Sequence, residues 1–337
     1  MTQHHLIFLD PFPRNEAMVY TPDVAAELAG LGSVVSHFGS RAPDGLVERI
    51  LPEVSIIIGQ TAMPRERLDR APNLRAILNV KANWEPNIDY AHAQARGIHV
   101  LSAAPAMAPA VAEFCIGQAI ALGRGLIAAD RAFREGREAY GVAGNGRAMS
   151  LFDSSVGLIG YGNLGRSLVP LLRPFTSDIA VHDPWLSDRY LETQYVRPMA
   201  LEALLERSRF LFILAGVTTE NEGFLDRGKL DLLPQDAAVI LASRAEVVDL
   251  TALAEMTASG RLRAAIDVYP QEPVAPDDPI RSMPHVHFTA HLAGGMAASY
   301  QRIRDMMLDD VKQILAGHPP LRMQRAEPRQ AAMMRSR

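Results

Sequence analysis

Between Val156 and Arg166 the chain reads VGLIGYGNLGR, and no other stretch restricts its possible folds as much. An apolar run, SVGLIG, leads into Gly160, Gly162 and Gly165, and NLGRSLVPLLRPF continues with helical spacing. A strand, a glycine turn and a helix in that order make a phosphate-cradling βα unit. Gly160 serves the tight turn, Gly162 lets the backbone approach a pyrophosphate, and Gly165 lets helix and strand pack closely. Asn163 and Leu164 fall in the first helical turn, where free amides meet the phosphate. The next apolar run, DIAVHD, ends in Asp183. A carboxylate there grips the hydroxyls of an adenosine ribose and repels a 2′-phosphate, so the expected cofactor is NAD, with NADP disfavoured. Arg166 and His182 lie nearby and soften that discrimination.

The rest of the chain alternates in the same way. LIFLD, SVVSHF, VSIIIG, LRAILNV and GIHVL read as strands separated by helical patterns. A second series, from SVGLIG through FLFILAG, AAVILAS and LRAAIDV to HVHFTAH, repeats the pattern. Alternation of this kind implies parallel sheets with helices on both faces. Pro109 to Tyr140 reads as one long helix with Pro109 in its first turn. After His291 one amphipathic helix ends at Gly317 and must pack on another part of the chain. The stretch after it is rich in Arg, Pro, Gln and Met, and is expected to be disordered or an accessory arm.

A length of 337 residues exceeds one hydrophobic core. The net charge of −4 argues against a nucleic-acid partner. The longest apolar stretch, Phe114 to Leu122, is too short for a membrane span, so no membrane partner is expected, and no signal peptide is evident. The single cysteine, Cys115, excludes an internal disulfide and reads as a structural thiol on a buried helix face. A cytoplasmic location follows as the expectation.

Two further stretches carry a resemblance. VILASRAEVVDLTALAEMTASGRLRAAIDVYPQEP and PIRSMPHVHFTAHLAGGM place an Arg, a Glu and a His in that order after the dinucleotide turn. In this the chain resembles the D-isomer-specific 2-hydroxyacid dehydrogenases, over roughly Val54 to Gly317. The resemblance implies two doubly wound α/β domains, a Rossmann-type NAD-binding domain inserted in a flavodoxin-like substrate domain. The implied bounds are 1–104 with 295–317 for the substrate domain, 105–294 for the NAD-binding domain, and 318–337 for a tail. It implies hydride transfer between NAD and a small 2-hydroxy or 2-keto acid in the cleft between the domains, and a homodimer built on the long helix.

The resemblance also assigns roles. His291 becomes the general acid–base and Glu272 its anionic support, while Arg244 binds the substrate carboxylate and polarises the ketone. Ser243 and Asp267 fall on the cofactor side, with a turn cap as the plainer role for Asp267. A metal site from His285, His287 and His291 lacks a completing Asp or Cys. Ala82, Asn83 and Trp84 occupy the family's Gly-x-Gly substrate loop, and Trp84 is expected to narrow the pocket. Gln60 stands where the family commonly has an arginine, which argues against a phosphorylated substrate. Glu246 is expected to compete for the Arg244 guanidinium, and Asn163 replaces a usual arginine. From a different class, the fold also serves as an NAD-binding corepressor without turnover.

Overall fold

The structure, a computed structural model, describes residues 5–334. The chain divides into two compact units: Met1–Met107 with Gly295–Arg337, and Ala108–Gly294. The second is thus a continuous insertion in the first.

The first unit contains β1 (Leu6–Asp10), β2 (Ser33–Ser36), β3 (Val54–Gly59), β4 (Ala76–Asn79) and β5 (His99–Ser102). The second contains β6 (Val156–Ile159), β7 (Ile179–His182), β8 (Arg197–Pro198), β9 (Phe210–Ile213), β10 (Ala238–Leu241), β11 (Arg263–Ile266) and β12 (Val286–Phe288). The chain returns to the first unit for β13 (Gln324–Arg325). The sheet orders are β13-β5-β4-β3-β1-β2 and β12-β11-β10-β9-β6-β7-β8. Within the first, the order β2-β1-β3-β4-β5 is flavodoxin-like; the second is a Rossmann sheet extended by one strand. Every pairing is parallel except β13 on β5.

The central strands of both sheets are buried on two faces, so they are apolar along most of their length rather than alternating, while the edge strands β2, β8, β12 and β13 carry polar and partly exposed residues. Side chains still alternate between the two cores. In β9, Phe210 and Phe212 enter one cluster, while Leu211 and Ile213 enter the other. In β3, Ile56 and Ile58 oppose Ile57 in the same way. Each such side chain contributes about 1.5–3 kcal/mol by leaving water. The helix Ala297–Leu315 turns Ile303, Met307, Val311 and Ile314 into the core of the first unit.

Two expectations need correction. The long helix is two helices, Ala104–Arg124 and Leu126–Arg134, broken at Gly125, and Pro109 lies inside the first. By length and composition Ala104–Arg124 is apolar enough to cross a membrane, but Ala112, Cys115, Ala119 and Leu122 face the core of the second unit. The stretch after Gly317 is ordered rather than a loose tail. Buried Asp310 accepts the amides of Leu321 at 2.7 Å, Arg322 at 3.0 Å and Met323 at 2.7 Å. This holds β13 against the edge of β5, and the helix Pro328–Met333 follows, capped by Glu327. Residues 1–4 and 335–337 lie outside the described residues.

Candidate active site

In the second unit, the glycine turn leaves the end of β6. Gly160 has φ +95°, and a Cβ there would lie 2.9 Å from the Ala215 amide nitrogen, against the chain leaving β9. At Gly165 a Cβ would lie 2.8 Å from the Gly160 carbonyl oxygen, so the first helical turn sits directly on the strand end. Gly162 precedes the helix Asn163–Leu172, and a Cβ there would meet nothing within 4 Å. The turn therefore closes on its protein side and is open where a pyrophosphate approaches. Asn163 and Leu164 open the helix, so their amides lie in its first turn, beside the glycines. These residues fit a dinucleotide.

Asp183 follows β7. Its carboxylate accepts the amides of Tyr161 at 2.7 Å and Trp185 at 2.9 Å, which fixes it beside the glycine turn. A cleft of about 360 Å³ opens there, lined by His182, Asp183, Pro184, Asp188, Pro198 and Met199 among others. Two carboxylates and no lysine or arginine line it. Arg166 instead stacks over the Tyr190 ring at 5.7 Å, and His182 Nδ1 lies 3.1 Å from the Met199 carbonyl oxygen. A 2′-phosphate would meet negative charge in that cleft.

Because β6, β7 and β9–β12 run parallel, their carboxyl ends share one edge of the sheet. Arg244 follows β10, Asp267 follows β11 and His291 follows β12, all on the edge that carries the glycine turn. His291 has φ +53°, and its Nδ1 lies 2.7 Å from Glu272 Oε2. The other Glu272 oxygen accepts the Tyr269 amide at 3.1 Å, so the carboxylate is held from both sides. A carboxylate only accepts, so Nδ1 carries the proton and Nε2 is left to face outward. Burial pulls the Arg244 guanidinium below its ordinary pKa, and the negative charges of Glu246 and Glu272 oppose that shift. An arginine keeps its charge under such a change. Its Nη1 donates to the Ser243 carbonyl at 2.6 Å, and it forms no ion pair with Glu246 among the described residues. The expected competition from Glu246 is thus electrostatic rather than a contact. A pocket of about 650 Å³ opens beside the His–Glu pair, lined by Tyr269, Val274, Ile280, Arg281 and Phe288 among others.

Two residues expected on the cofactor side also have definite protein partners. Asp267 is only 1% exposed, and its oxygens accept from Thr289 Oγ1 at 2.6 Å, the Leu292 amide at 2.8 Å and the Ala293 amide at 3.0 Å. Its own carbonyl accepts the His291 amide at 2.8 Å. Asp267 is the cap of the turn that presents His291. The Ser243 hydroxyl donates to the Ile213 carbonyl at 2.9 Å and joins β9 to the end of β10. Tyr269 and Thr289 were not singled out in the sequence. Tyr269 Oη donates to the Thr289 carbonyl at 2.7 Å, and burial pushes its pKa up. The aromatic after Asp267-Val268 was the available signal.

In the first unit, Asn79 at the end of β4 organizes the substrate-loop candidate. Its Oδ1 accepts the Lys81 amide at 2.7 Å, and its Nδ2 donates to the Asn83 carbonyl at 2.7 Å. Among the described residues, the amides of Ala82 and Asn83 have no protein acceptor. Trp84 does not narrow a pocket. It is 5% exposed, sits in the core beneath β3 and β4, and meets the Tyr90 ring edge-on at 6.0 Å. An indole of that size gains more from burial than from an exposed loop.

Comparison with known proteins bears on the whole chain. The family model described as "D-isomer specific 2-hydroxyacid dehydrogenase, NAD binding domain" matches residues 116–293. The chain belongs to this family. A solved phosphoglycerate oxidoreductase from Rhizobium etli is 38% identical, covers 96% of this chain and 99% of its own, and superposes with a TM-score of 0.86. The glyoxylate reductase of Korarchaeum cryptofilum is 26% identical over 86% of this chain and 91% of its own length. The D-3-phosphoglycerate dehydrogenase of Archaeoglobus fulgidus is 27% identical, and the match spans 79% of this chain but only 50% of that dehydrogenase.

Proposed function

We propose that this chain is an NAD-dependent oxidoreductase that interconverts a D-2-hydroxy acid and its 2-keto acid, with His291 as general acid–base. The observation that carries the assignment of roles is the 2.7 Å contact of His291 Nδ1 with Glu272 on the sheet edge that bears the glycine turn. Bound NAD supplies or accepts the hydride.

The protein's own groups handle charge and protons. As hydride reaches the carbonyl carbon, negative charge grows on the carbonyl oxygen. His291 donates its Nε2 proton to that oxygen, and in the reverse direction removes it. Glu272 stabilises the imidazolium and keeps Nε2 outward. Arg244 holds the substrate carboxylate with its planar fork and polarises the carbonyl. The unpartnered amides of Ala82 and Asn83 make a second place for an oxyanion.

The test is NADH oxidation with glyoxylate, hydroxypyruvate, pyruvate and phenylpyruvate. Replacing His291 by Ala is expected to lower kcat by about a hundredfold or more. Unchanged turnover in that variant would remove His291 from the mechanism. NADH binding without turnover on any acid would favour the corepressor class.

We also infer a homodimer. The helix Leu126–Arg134 buries none of its residues, yet it carries Leu126, Ile127 and Phe133. The cytoplasmic reading rests on the single, buried thiol, and fractionation of the cells that make the protein checks it.

A further inference from the structure

The first unit carries a group of charges that the roles above leave unused. Glu85 lies between two cations, Lys81 on one oxygen and Arg41 on the other, the latter at 3.0 Å. Their burial runs in an informative order. The Glu85 side chain is 13% exposed, Lys81 28% and Arg41 47%. The carboxylate is the base of the cluster, and the two cationic heads are its outer surface. Burial alone would raise the Glu85 carboxyl. Hydrogen bonds and charge from Lys81 and Arg41 outweigh that and hold it below the usual carboxylate range.

Arg41 is set there by the fold. Buried Asp10 at the end of β1 accepts the Ala42 amide at 3.0 Å and Thr61 Oγ1 at 2.9 Å. This clamps the loop after β2 to the loop after β3. The Arg41 Nη1 then donates to the Gln60 carbonyl. The charge missing from the side chain at position 60 is therefore supplied in space by a residue nineteen positions earlier. Lys81 comes directly before Ala82 and Asn83, whose amides are unpartnered. Glu85 and Asp10 lie deeper than the two cations, 13% and 2% exposed, so the more exposed Arg41 and Lys81 heads form the cationic outer surface beside these two N–H groups. An arginine fork and a lysine ammonium are the usual partners of phosphate and carboxylate oxygens.

We infer that Arg41 and Lys81 form an oxyanion site next to the Ala82–Asn83 amides, so that the preferred 2-keto acid is short and carries a second anionic group, a phosphate ester or a second carboxylate. Glu85 acts as a positioning residue that keeps the two like charges together. This inference rests on the proposed keto-acid reductase activity.

The experiment compares matched substrates with NADH: 3-phosphohydroxypyruvate against hydroxypyruvate, and 2-oxoglutarate against 2-oxopentanoate. The first pair reads a phosphate and the second a carboxylate. In at least one pair, the kcat/KM of the two-anion acid is expected to exceed that of its partner by about tenfold or more, the worth of a charged hydrogen bond. Arg41→Gln and Lys81→Gln should each collapse that ratio, chiefly through KM. A preference for the one-anion acid in both pairs overturns the inference while leaving the reductase intact. So do variants that lower both members of a pair equally, as a purely structural ion cluster would. If no acid is turned over, the reductase reading fails separately. Calorimetry of 3-phosphoglycerate against D-glycerate, and of 2-hydroxyglutarate against 2-hydroxypentanoate, then reads the same ratio as affinity. Equal affinity within both pairs again overturns the site.

Discussion

Cys115 and Asp267 show how burial assigns a residue its work. The thiol lies wholly inside the core of the second unit, and burial pushes its pKa up to about 12. The thiolate is the reactive form, so almost none exists near neutrality. A disulfide reagent at pH 8 is expected to leave the native protein unlabelled and to titrate one thiol per chain in denaturant; fast labelling of the folded protein would contradict the packing. Asp267 offers a sharper contrast. As a turn cap it supports His291 through the Leu292 and Ala293 amides. Removing one of its acceptors in Asp267→Asn leaves buried donors poorly matched, at a cost of about 1–3 kcal/mol. The melting temperature and kcat should both fall, with the NADH dissociation constant little changed. A large loss of NADH affinity at unchanged stability would restore Asp267 to the cofactor.

At the scale of elements, carboxylates tie distant segments together. Asp310, in the helix Ala297–Leu315, holds three amides of the segment leading into β13. Asp310→Ala strands those donors, and a loss of about 2–4 kcal/mol is expected, concentrated in residues 318–334. Hydrogen exchange should show that segment opening first; uniform protection would refute the clamp. Asp178, just before β7, accepts from Arg207 and pairs with Arg197 at 3.3 Å. The Arg207 hydrogen bond holds its carboxyl below the usual carboxylate value of 3.8. Its stabilising effect is therefore full above the unfolded pKa and is lost as pH falls through the lower folded value. The pair is partly exposed, so Asp178→Asn should cost under about 1 kcal/mol at pH 7. The difference in melting temperature from the parent should shrink as the pH falls below 3.8.

These ties explain what was legible in the residues alone. Apolar runs announced the strands of both sheets, because strands buried on two faces have no polar side. The glycine turn was legible because its three glycines stand between an apolar run and a helical pattern, and Gly165 is forced by the Gly160 carbonyl five residues before it, although the contact that forces Gly160 comes from Ala215 on another strand end. Of the two readings of the tail, disorder fails because its order depends on Asp310, a single carboxylate on another element. Trp84 was misread because its polar neighbours concealed that the loop folds back under the sheet. Arg41 carried no local signal at all. Its place depends on Asp10, Thr61 and Glu85 meeting across three loops.

At the scale of the whole molecule, the chain leaves its first unit after Met107 and returns at Gly295, with the NAD-binding unit between. Soon after the start of that inserted unit comes the helix Leu126–Arg134, whose exposed residues are unusual for a soluble surface. Phe133 is 64% exposed, and Ile127, Tyr140, Val142 and Phe152 are exposed as well. Single exposed apolar side chains need no explanation, but a run of them within one segment marks an interaction surface. Such a surface on identical chains closes most simply about a two-fold axis, where each copy covers the other's patch. A stable interface needs about 800 Å² from each partner, more than one short helix presents, so the proposed dimer would have to use the stretch through Phe152 as well. Light scattering is expected to give twice the chain mass. The double variant Ile127→Asp and Phe133→Asp buries two carboxylates in that interface without disturbing a core, since neither side chain is packed in one chain alone. It should shift the protein to monomer at micromolar concentration while each unit keeps its secondary structure. A parent protein that runs as a monomer, or a dimer indifferent to both charges, would mean that this segment covers something other than its own copy.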